Sequence, residues 1–588
     1  MKMNADSGII YQATPKSERP PSTLLREVFG VSYVQSRIMK AVALLLAWMM
    51  LASTGKGNEV QIVPLPVKAH MAGGAAYRVA PSTVIVCEGN ATEIKAVADR
   101  AIEAFRRVTG WSLKTNPASD IEGCIVLRLD QGLFPDLPDW QRDESYRLSV
   151  TAARVEVSAR TSHGLFNGVQ TLVQLVAQSK AGQQQIPACG IEDYPRFQWR
   201  GLLLDPARHF LPLEFLKKFV DVMAFYKYNR LQLHLTDDQG WRLEIKKYPG
   251  LTQIGSVRKE SPRHGDRNQG DGAVYGPFFY TQLQIHELVT YAQARHVTIV
   301  PEIEIPGHFR AALAAHPEFS CTGGPFEVRT RWGVDPDILC PGNDDAVAFA
   351  KDVLGEVCER FPSQLIHIGG DEVPRDRWKV CPKCQARMKA EGLKNEAELQ
   401  TWLNHQLEKF LASKGRRMIG WDEILEGGLT PGAVVMSWRG NQGGLAAAQA
   451  GHDVVMSPTS HCYFDFPQAK GSAEPESIGG FIPLDTVYSF EPVPATLAES
   501  QQRHILGGQG NLWGECFWSG KDVEYFAFPR ALALAEILWS PAEGRSLASF
   551  LSRLDGQLAH LDRMRVNYRK PDDTKPAGQP TQAKDQAR

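Results

Sequence analysis

Beyond residue 195 the chain falls into a repeating texture. A short apolar run stops on a polar or acidic residue, and a longer stretch follows with apolar positions three and four apart. The runs are GLLLD ending at Asp205, RLQLHLTDD at Asp238, VTIVPEIE at Glu304, LIHIGGDE at Glu372, RMIGWDE at Glu423, VVMSW at Trp438, DVVMS at Ser457 and ILGGQGNLWGE at Glu515. Such near-continuous apolar strands suit a parallel sheet covered on both faces better than a half-wet antiparallel one. Eight of them, with helices expected over 213–226, 285–294, 345–361 and 396–413, predict an α/β fold, a (βα)8 TIM barrel over 195–565. One unit is short. About ten residues separate Glu423 from Val434, too few for a full crossover helix, so either this repeat is degenerate or a strand edge is misplaced.

Ahead of the barrel, residues 59–194 mix β-type runs (TVIV at 83–86, CIVLRL at 124–129, YRLSV at 146–150, RVEVSA at 154–159) with helical periodicity over 93–108 and 164–177. This predicts a separate small α+β domain. At the start, AVALLLAWMMLA over 41–52 follows Arg37 and Lys40 and precedes STGKG, the pattern of a signal peptide within a leader of residues 1–58. Its length falls short of the ~20 residues that span a bilayer, so export to the periplasm or outside is expected, without a stable membrane span. The long polar stretch before it suggests that translation starts at Met39. At the other end, 566–588 has little apolar to bury and reads as a disordered tail.

Charge narrows the partners. With 65 Lys and Arg against 66 Asp and Glu, the net charge of -1 creates no field to gather nucleic acid or an anionic membrane. Ten cysteines are too few for a disulfide scaffold. Cys321 and Cys340 flank one loop and could form a local bridge. Cys381 and Cys384 make a single CxxC without a second ligand pair at zinc-finger spacing, so a disulfide or free thiols fit as well, and no metal is expected. HELVT from His286 lacks the second His of a zinc-protease helix. No phosphate loop or GxGxxG fingerprint follows a strand, so no cofactor is expected.

The chemistry concentrates at strand ends, where barrel enzymes carry it. Asp371 and Glu372 end the fourth run behind two glycines. Two adjacent carboxylates at an apolar strand end are costly to ionise together, so one is expected to keep its proton near neutrality, as a general acid requires. Trp421, Trp438 and Trp513 fall at or near other strand ends.

The phrases WRGLLLDPARHFLP from Trp199, HLTDDQGWRLEI from His234, VPEIEIPGH from Val300, HIGGDEVP from His367, IGWDEI from Ile419, YFDF from Tyr463 and GNLWGE from Gly510 occur in this order. Together they resemble the family-20 glycoside hydrolases, exo-acting β-N-acetylhexosaminidases, over roughly 60–545. The resemblance implies removal of terminal non-reducing β-linked N-acetylglucosamine or N-acetylgalactosamine by substrate-assisted retaining hydrolysis through an oxazolinium intermediate. It makes Glu372 the acid and base, Asp371 the partner of the acetamido N–H, and Tyr463 the aim of its carbonyl. His308 and Asp237 become a supporting pair, with Glu304 nearby. Arg200 would fork onto O3 and O4 of the terminal sugar, with Asp465 and Glu515 accepting from O4 and O6. Trp421, Trp438 and Trp513 become the pocket walls. Asp205 and Arg208 read as structural. A disaccharide-releasing relative and a catalytically silent sugar-binding protein are the rival readings.

Overall fold

The structure is a computed structural model that describes residues 60–89, 92–116, 122–177, 184–471 and 474–570. The expected leader, and all but the first residues of the expected tail, lie outside them. Among the described residues no helix is long and apolar enough to cross a membrane.

Residues from Val60 build a seven-stranded mixed sheet, in spatial order Lys68–Met71, Cys189–Asp193, Tyr146–Val150, Arg154–Ala159, Cys124–Leu129, Val84–Glu88 and Lys114–Asn116. Helices Thr92–Thr109 and Ser162–Ala177 pack on it. The first is amphipathic, with Ile94, Val97, Ala101 and Phe105 on its buried face. The second is buried on nearly every side because it also touches the barrel helix Leu213–Phe225, and a helix enclosed by two layers needs internal partners for its polar groups. Gln174 supplies them by accepting from the Val63 N–H at 3.0 Å and donating to the Val63 carbonyl at 2.7 Å, while Asn167 donates to the Glu144 carbonyl at 3.0 Å.

The second layer is a closed, all-parallel barrel of eight strands: β1 (Trp199–Leu204), β2 (Arg230–His234), β3 (Thr298–Glu302), β4 (Leu365–His367), β5 (Arg417–Trp421), β6 (Val434–Ser437), β7 (Val454–Met456) and β8 (Ile505–Leu512). It closes where β8 pairs β1, from Trp199 against Gly507 to Leu204 against Leu512. All six residues of β1 are buried, as expected where one face packs inside the barrel and the other under helices. The interior is filled by Trp199, Leu203, Val300, Ile419, Met436 and Val455, with Gln509 donating to Gln232 at 2.8 Å, so the barrel is a packed core with a floor.

Helices Leu213–Phe225, Gln282–Gln293, Asp344–Arg360 and Glu396–Ser413 occupy the expected stretches. Gln282–Gln293 begins ahead of the expected 285 because Thr281 and Gln284 form a reciprocal capping box. The short repeat has its strand edges where the apolar pattern put them and lacks the helix: a single 3-10 turn, Asp422–Leu425, and a loop join β5 to β6.

Arg200 requires a correction. It is the second residue of β1, so it sits at the N-terminal rim, facing the smaller domain. Its guanidinium donates to both carboxylate oxygens of Glu144, to the Lys227 carbonyl at 2.8 Å and to the Phe197 carbonyl at 2.7 Å, and it lies 5.0 Å from the Trp539 ring. Its salt-bridge partner is thus Glu144. Lys227 bridges to Asp193 at 3.0 Å beside it, and Asp193 also receives the Trp539 indole N–H at 2.9 Å. This arginine joins two domains and does not line the pocket at the opposite rim.

Candidate active site

The opposite rim of the barrel holds a pocket of about 270 Å³ lined by Arg208, His308, Asp371, Glu372, Trp421, Trp438, Thr459, Tyr463, Asp465, Phe466, Ile478, Trp513 and Glu515. Nine of the expected site residues meet there. Asp237 lies directly beneath, touching Arg208 and His308, and Arg200 is absent for the reason given.

The floor is set by the turn after β4. Gly369 has φ +67° and Gly370 φ +92°, and a Cβ on Gly369 would come within 1.9 Å of the Glu304 carboxylate. Only glycine lets the backbone pass so close over that buried acid. Glu372 itself has φ +46° and His308 φ +47°, both in the left-handed region that non-glycine residues rarely enter. Two such residues facing each other across one pocket is the distribution seen where geometry for chemistry is stored as strain.

His308 links two carboxylate pairs. Its Nε2 is 3.7 Å from Asp371 and 3.6 Å from Glu372, and its Nδ1 is 3.4 Å from both Asp237 and Asp238. Burial works against an imidazolium, but Asp237 and then Asp238 and Glu372 outweigh it, so the His308 pKa lies well above its ordinary value and the ring is charged. The two acids then part company. Burial, helped by Glu302 and Glu372, raises Asp371. Glu372, whose side chain is 44% exposed, is lowered, chiefly by His308 beside it. The two neighbours are thus shifted in opposite directions, Asp371 towards holding a proton and Glu372 towards releasing one.

Deeper groups support this floor. Glu302 receives the Trp421 indole N–H at 2.8 Å and lies 2.9 Å from His234 and 3.1 Å from His367. His234, despite burial, is held up to about 10 by Glu302 and Asp237. Glu304 is fully buried, neither of its oxygens has a hydrogen-bond partner, and burial together with Asp371 and Glu302 pushes its pKa well up.

Walls come from the neighbouring strand ends. Trp421 closes β5, Trp438 follows β6 and Trp513 follows β8. Trp421 and Trp513 rings are 5.7 Å apart, and Tyr463 stacks on Trp438 with centroids 6.1 Å apart and planes within 24°. Tyr463 is placed because residues 462–464 run alongside the end of β8, the Phe464 N–H donating to the Asn511 carbonyl and the Asn511 N–H to the Cys462 carbonyl, both at 2.7 Å. Burial raises its phenol well above the ordinary value, so it stays a hydroxyl donor. Trp438 donates to Glu423 at 2.9 Å, and burial beside Asp371 raises Glu423 to about 8.

Arg208, read from the sequence as structural, is the arginine of the pocket. Its NH1 donates to Asp205 at 2.7 Å, its Nε to Gln239 at 3.2 Å, and its NH2 bridges Asp237 at 2.7 Å. Of five guanidinium N–H groups, three are engaged and two remain for the pocket. Asp205 is fixed in turn by the N–H groups of Ala207, Arg208 and Gly514 at 3.0, 3.1 and 2.9 Å. Facing Arg208, Asp465 and Glu515 each carry one buried oxygen without a hydrogen-bond partner, and burial raises both. Glu423, His234 and Glu302 were not singled out beforehand, and Asp205, like Arg208, was read as structural. Arg208 had a signal, since it lies just past the end of β1, where barrel enzymes place their working groups.

Away from this pocket, the sulfurs of Cys321, Cys340, Cys381 and Cys384 all lie within 4.8 Å of one another. The CxxC therefore has a second cysteine pair, contrary to the expectation that no metal-ligating set exists.

Two family models match the chain: glycosyl hydrolase family 20, catalytic domain, over residues 197–542, and glycosyl hydrolase family 20, domain 2, over 59–194. A beta-hexosaminidase of Porphyromonas gingivalis is 42% identical over 545 residues, 90% of this chain and 68% of that protein. A beta-N-acetylhexosaminidase of Cellulomonas fimi is 32% identical over 517 residues, 86% of this chain and 95% of that one. Among solved structures, the Vibrio harveyi exo beta-N-acetylglucosaminidase in complex with N-acetylglucosamine aligns with TM-score 0.78 and 30% identity, covering 87% of this chain and 79% of that one. The Streptomyces coelicolor beta-N-acetylhexosaminidase gives 0.75 and 31%, covering 87% and 98%.

Proposed function

This chain belongs to glycosyl hydrolase family 20 and is a glycoside hydrolase, and from that premise we propose that it removes single terminal β-linked N-acetylglucosamine or N-acetylgalactosamine units with the sugar's own acetamido group as nucleophile. The observation that carries this reading is the pocket floor: Asp371 and Glu372 side by side under three tryptophans and Tyr463, with His308 3.7 and 3.6 Å from the two acids. At about 270 Å³ the pocket lies just below the ~300–1,000 Å³ typical of ligand sites, which favours one sugar ring over a disaccharide.

In this mechanism Glu372 protonates the glycosidic oxygen while the acetamido carbonyl oxygen attacks the anomeric carbon. The leaving alcohol departs with that proton and the sugar becomes an oxazolinium ion. Glu372, now ionised, takes a proton from water as the water opens the ring, and the β-configured sugar leaves. Asp371 accepts from the acetamido N–H and supports the positive charge. Tyr463 donates to the carbonyl oxygen, and holding the two reacting atoms together lowers the barrier by several kcal/mol. Arg208, with its two remaining N–H groups, takes the place the sequence reading gave to Arg200 at the O3 and O4 hydroxyls, and Asp465 and Glu515 accept from the sugar's hydroxyls.

In the free protein burial raises the Asp371 pKa while His308 lowers that of Glu372, whereas the chemistry needs the proton on Glu372. Substrate supplies the shift. An acetamido N–H directed at Asp371 stabilises its carboxylate, and a sugar covering the half-exposed Glu372 excludes water and stabilises its neutral form. Binding thus reverses which of the two neighbours holds a proton more readily.

The test is a pair of aryl glycosides differing only at C2. The N-acetylglucosaminide should turn over and the plain β-glucoside should not, and a thiazoline mimic of the cyclised sugar should inhibit strongly. Equal hydrolysis of both glycosides, or indifference to the thiazoline, refutes the acetamido nucleophile. We further propose that the protein is exported, on the basis of the apolar run at 41–52. N-terminal sequencing of the mature protein checks this, a start before residue 41 refuting it.

A further inference from the structure

We propose that Cys321, Cys340, Cys381 and Cys384 bind one zinc ion as a tetrathiolate. The closest sulfur separations are 3.5 Å for Cys340 and Cys384, 3.7 Å for Cys321 and Cys384, and 3.8 Å for Cys340 and Cys381. Four sulfurs at zinc's ~2.3 Å bond length stand ~3.8 Å apart at the corners of a tetrahedron. Two independent disulfides would pair the sulfurs two by two. Here Cys340 is close to both Cys381 and Cys384, and Cys384 to both Cys340 and Cys321, so the contacts form a connected set around one centre.

The surroundings are those of a structural metal site. Ile338, Trp378, Met388 and Leu399 enclose the sulfurs in an apolar shell, with only Cys321 partly exposed. The Gly342 backbone N–H lies beside the sulfurs of Cys340 and Cys384, where it can orient metal-bound thiolates. A side chain at 342 is excluded, since its Cβ would fall 2.2 Å from the Lys383 carbonyl carbon. Cys381 and Cys384 sit at the N-cap and third position of helix Pro382–Glu391, where the positive end of the helix dipole favours thiolate. Binding would release the thiol protons to solvent.

The position gives the site a purpose. Cys321 and Cys340 bracket a loop that follows β3 and His308, and Cys381 and Cys384 lie on the segment that follows β4 and Glu372. The Leu339 N–H donates to the Pro306 carbonyl at 3.1 Å, the Trp378 indole donates to the Leu339 carbonyl at 3.0 Å, and Val373 packs on the same apolar cluster. Zinc at this point ties together the two segments that carry His308 and the acid pair, without touching substrate.

The experiment is elemental analysis of the full chain, purified without chelator. One zinc per chain is expected, released in step with thiol loss on titration with a mercurial, and the melting temperature should fall on release and return when zinc is added back. Cobalt exchanged into the site should give the sulfur-to-metal charge-transfer and strong visible bands of a tetrahedral tetrathiolate. Cys321→Ser, at the most exposed ligand, should lower bound zinc at least about tenfold. Less than about a tenth of an equivalent of zinc in the wild type, or iron in its place, overturns the proposal whether or not any variant folds. A non-reduced peptide map then reports which cysteines are cross-linked.

Discussion

Two arginines eight positions apart, Arg200 and Arg208, bracket strand β1 and do opposite work. The strand's six residues, at ~3.3 Å each, separate its ends by ~20 Å, so the two guanidinium groups stand on opposite rims of the barrel. At the lower rim Arg200 directs its Nε, NH1 and NH2 at Glu144 and two backbone carbonyls and stacks on Trp539. At the upper rim Arg208 is held by Asp205, Asp237 and Gln239 with donors to spare, facing Asp465 and Glu515, which keep unpartnered oxygens. The same side chain is structural where four of its five donors are taken by protein groups and available for a ligand where only three are. Buried polar groups with unfilled capacity are costly to a fold, and here they gather at the site where a polyhydroxylated sugar fills them.

This contrast can be broken by measurement. The largest effect is expected at the upper rim, where Glu372→Gln should cost ~10²–10⁴-fold in turnover on substrates with poor leaving groups and far less on activated aryl glycosides, which need little protonation. Equal losses on both classes would remove Glu372 from the acid role. At the lower rim Arg200→Ala strands the buried Glu144 carboxylate and should lower stability by ~3–5 kcal/mol in chemical unfolding, with KM unchanged. Pairing Arg200→Met with Glu144→Leu should recover much of that loss. A KM shift of tenfold or more in the folded Arg200→Ala protein would place this residue at the sugar after all.

A smaller effect is expected for Arg208→Lys, which keeps a cation between Asp205 and Asp237 but loses the fork. It should lower kcat/KM by ~10–100-fold on the natural sugar, mostly through KM, with stability little altered. The smallest concerns Glu423. Its ordinary value of 4.5 is raised to about 8 in the fold, so between these pH values the folded chain keeps a proton that the unfolded chain has released. That contribution to stability is complete below pH 4.5 and is lost as pH rises through about 8. Glu423→Gln should flatten the fall in stability across this window; an unchanged slope would show that Glu423 titrates normally.

Much of this was legible in the chain. Barrel strands are covered on both faces, so they appear as unbroken apolar runs, and all eight were placed from that alone, including the repeat with no helix after β5. The acids and tryptophans at the ends of those runs marked the site, because a parallel barrel carries every strand's C-terminal end to one rim. Arg208 was missed although the same rule applied to Arg200 would have excluded it, being the second residue of its strand. Glu302 and His234 lie inside apolar runs, where a polar residue in the sequence carries no mark of which way it faces.

What the sequence determined by itself was the order of elements and the residue types at their ends, since periodicity and strand-end chemistry are local properties. Tertiary structure alone decided which donors were already spent, in which direction each acid of the pair is shifted, and that Cys321, Cys340, Cys381 and Cys384 share one centre. Those depend on distances and on exclusion of water between segments far apart in the chain, 63 residues for Cys321 and Cys384, and no spacing along the chain encodes them.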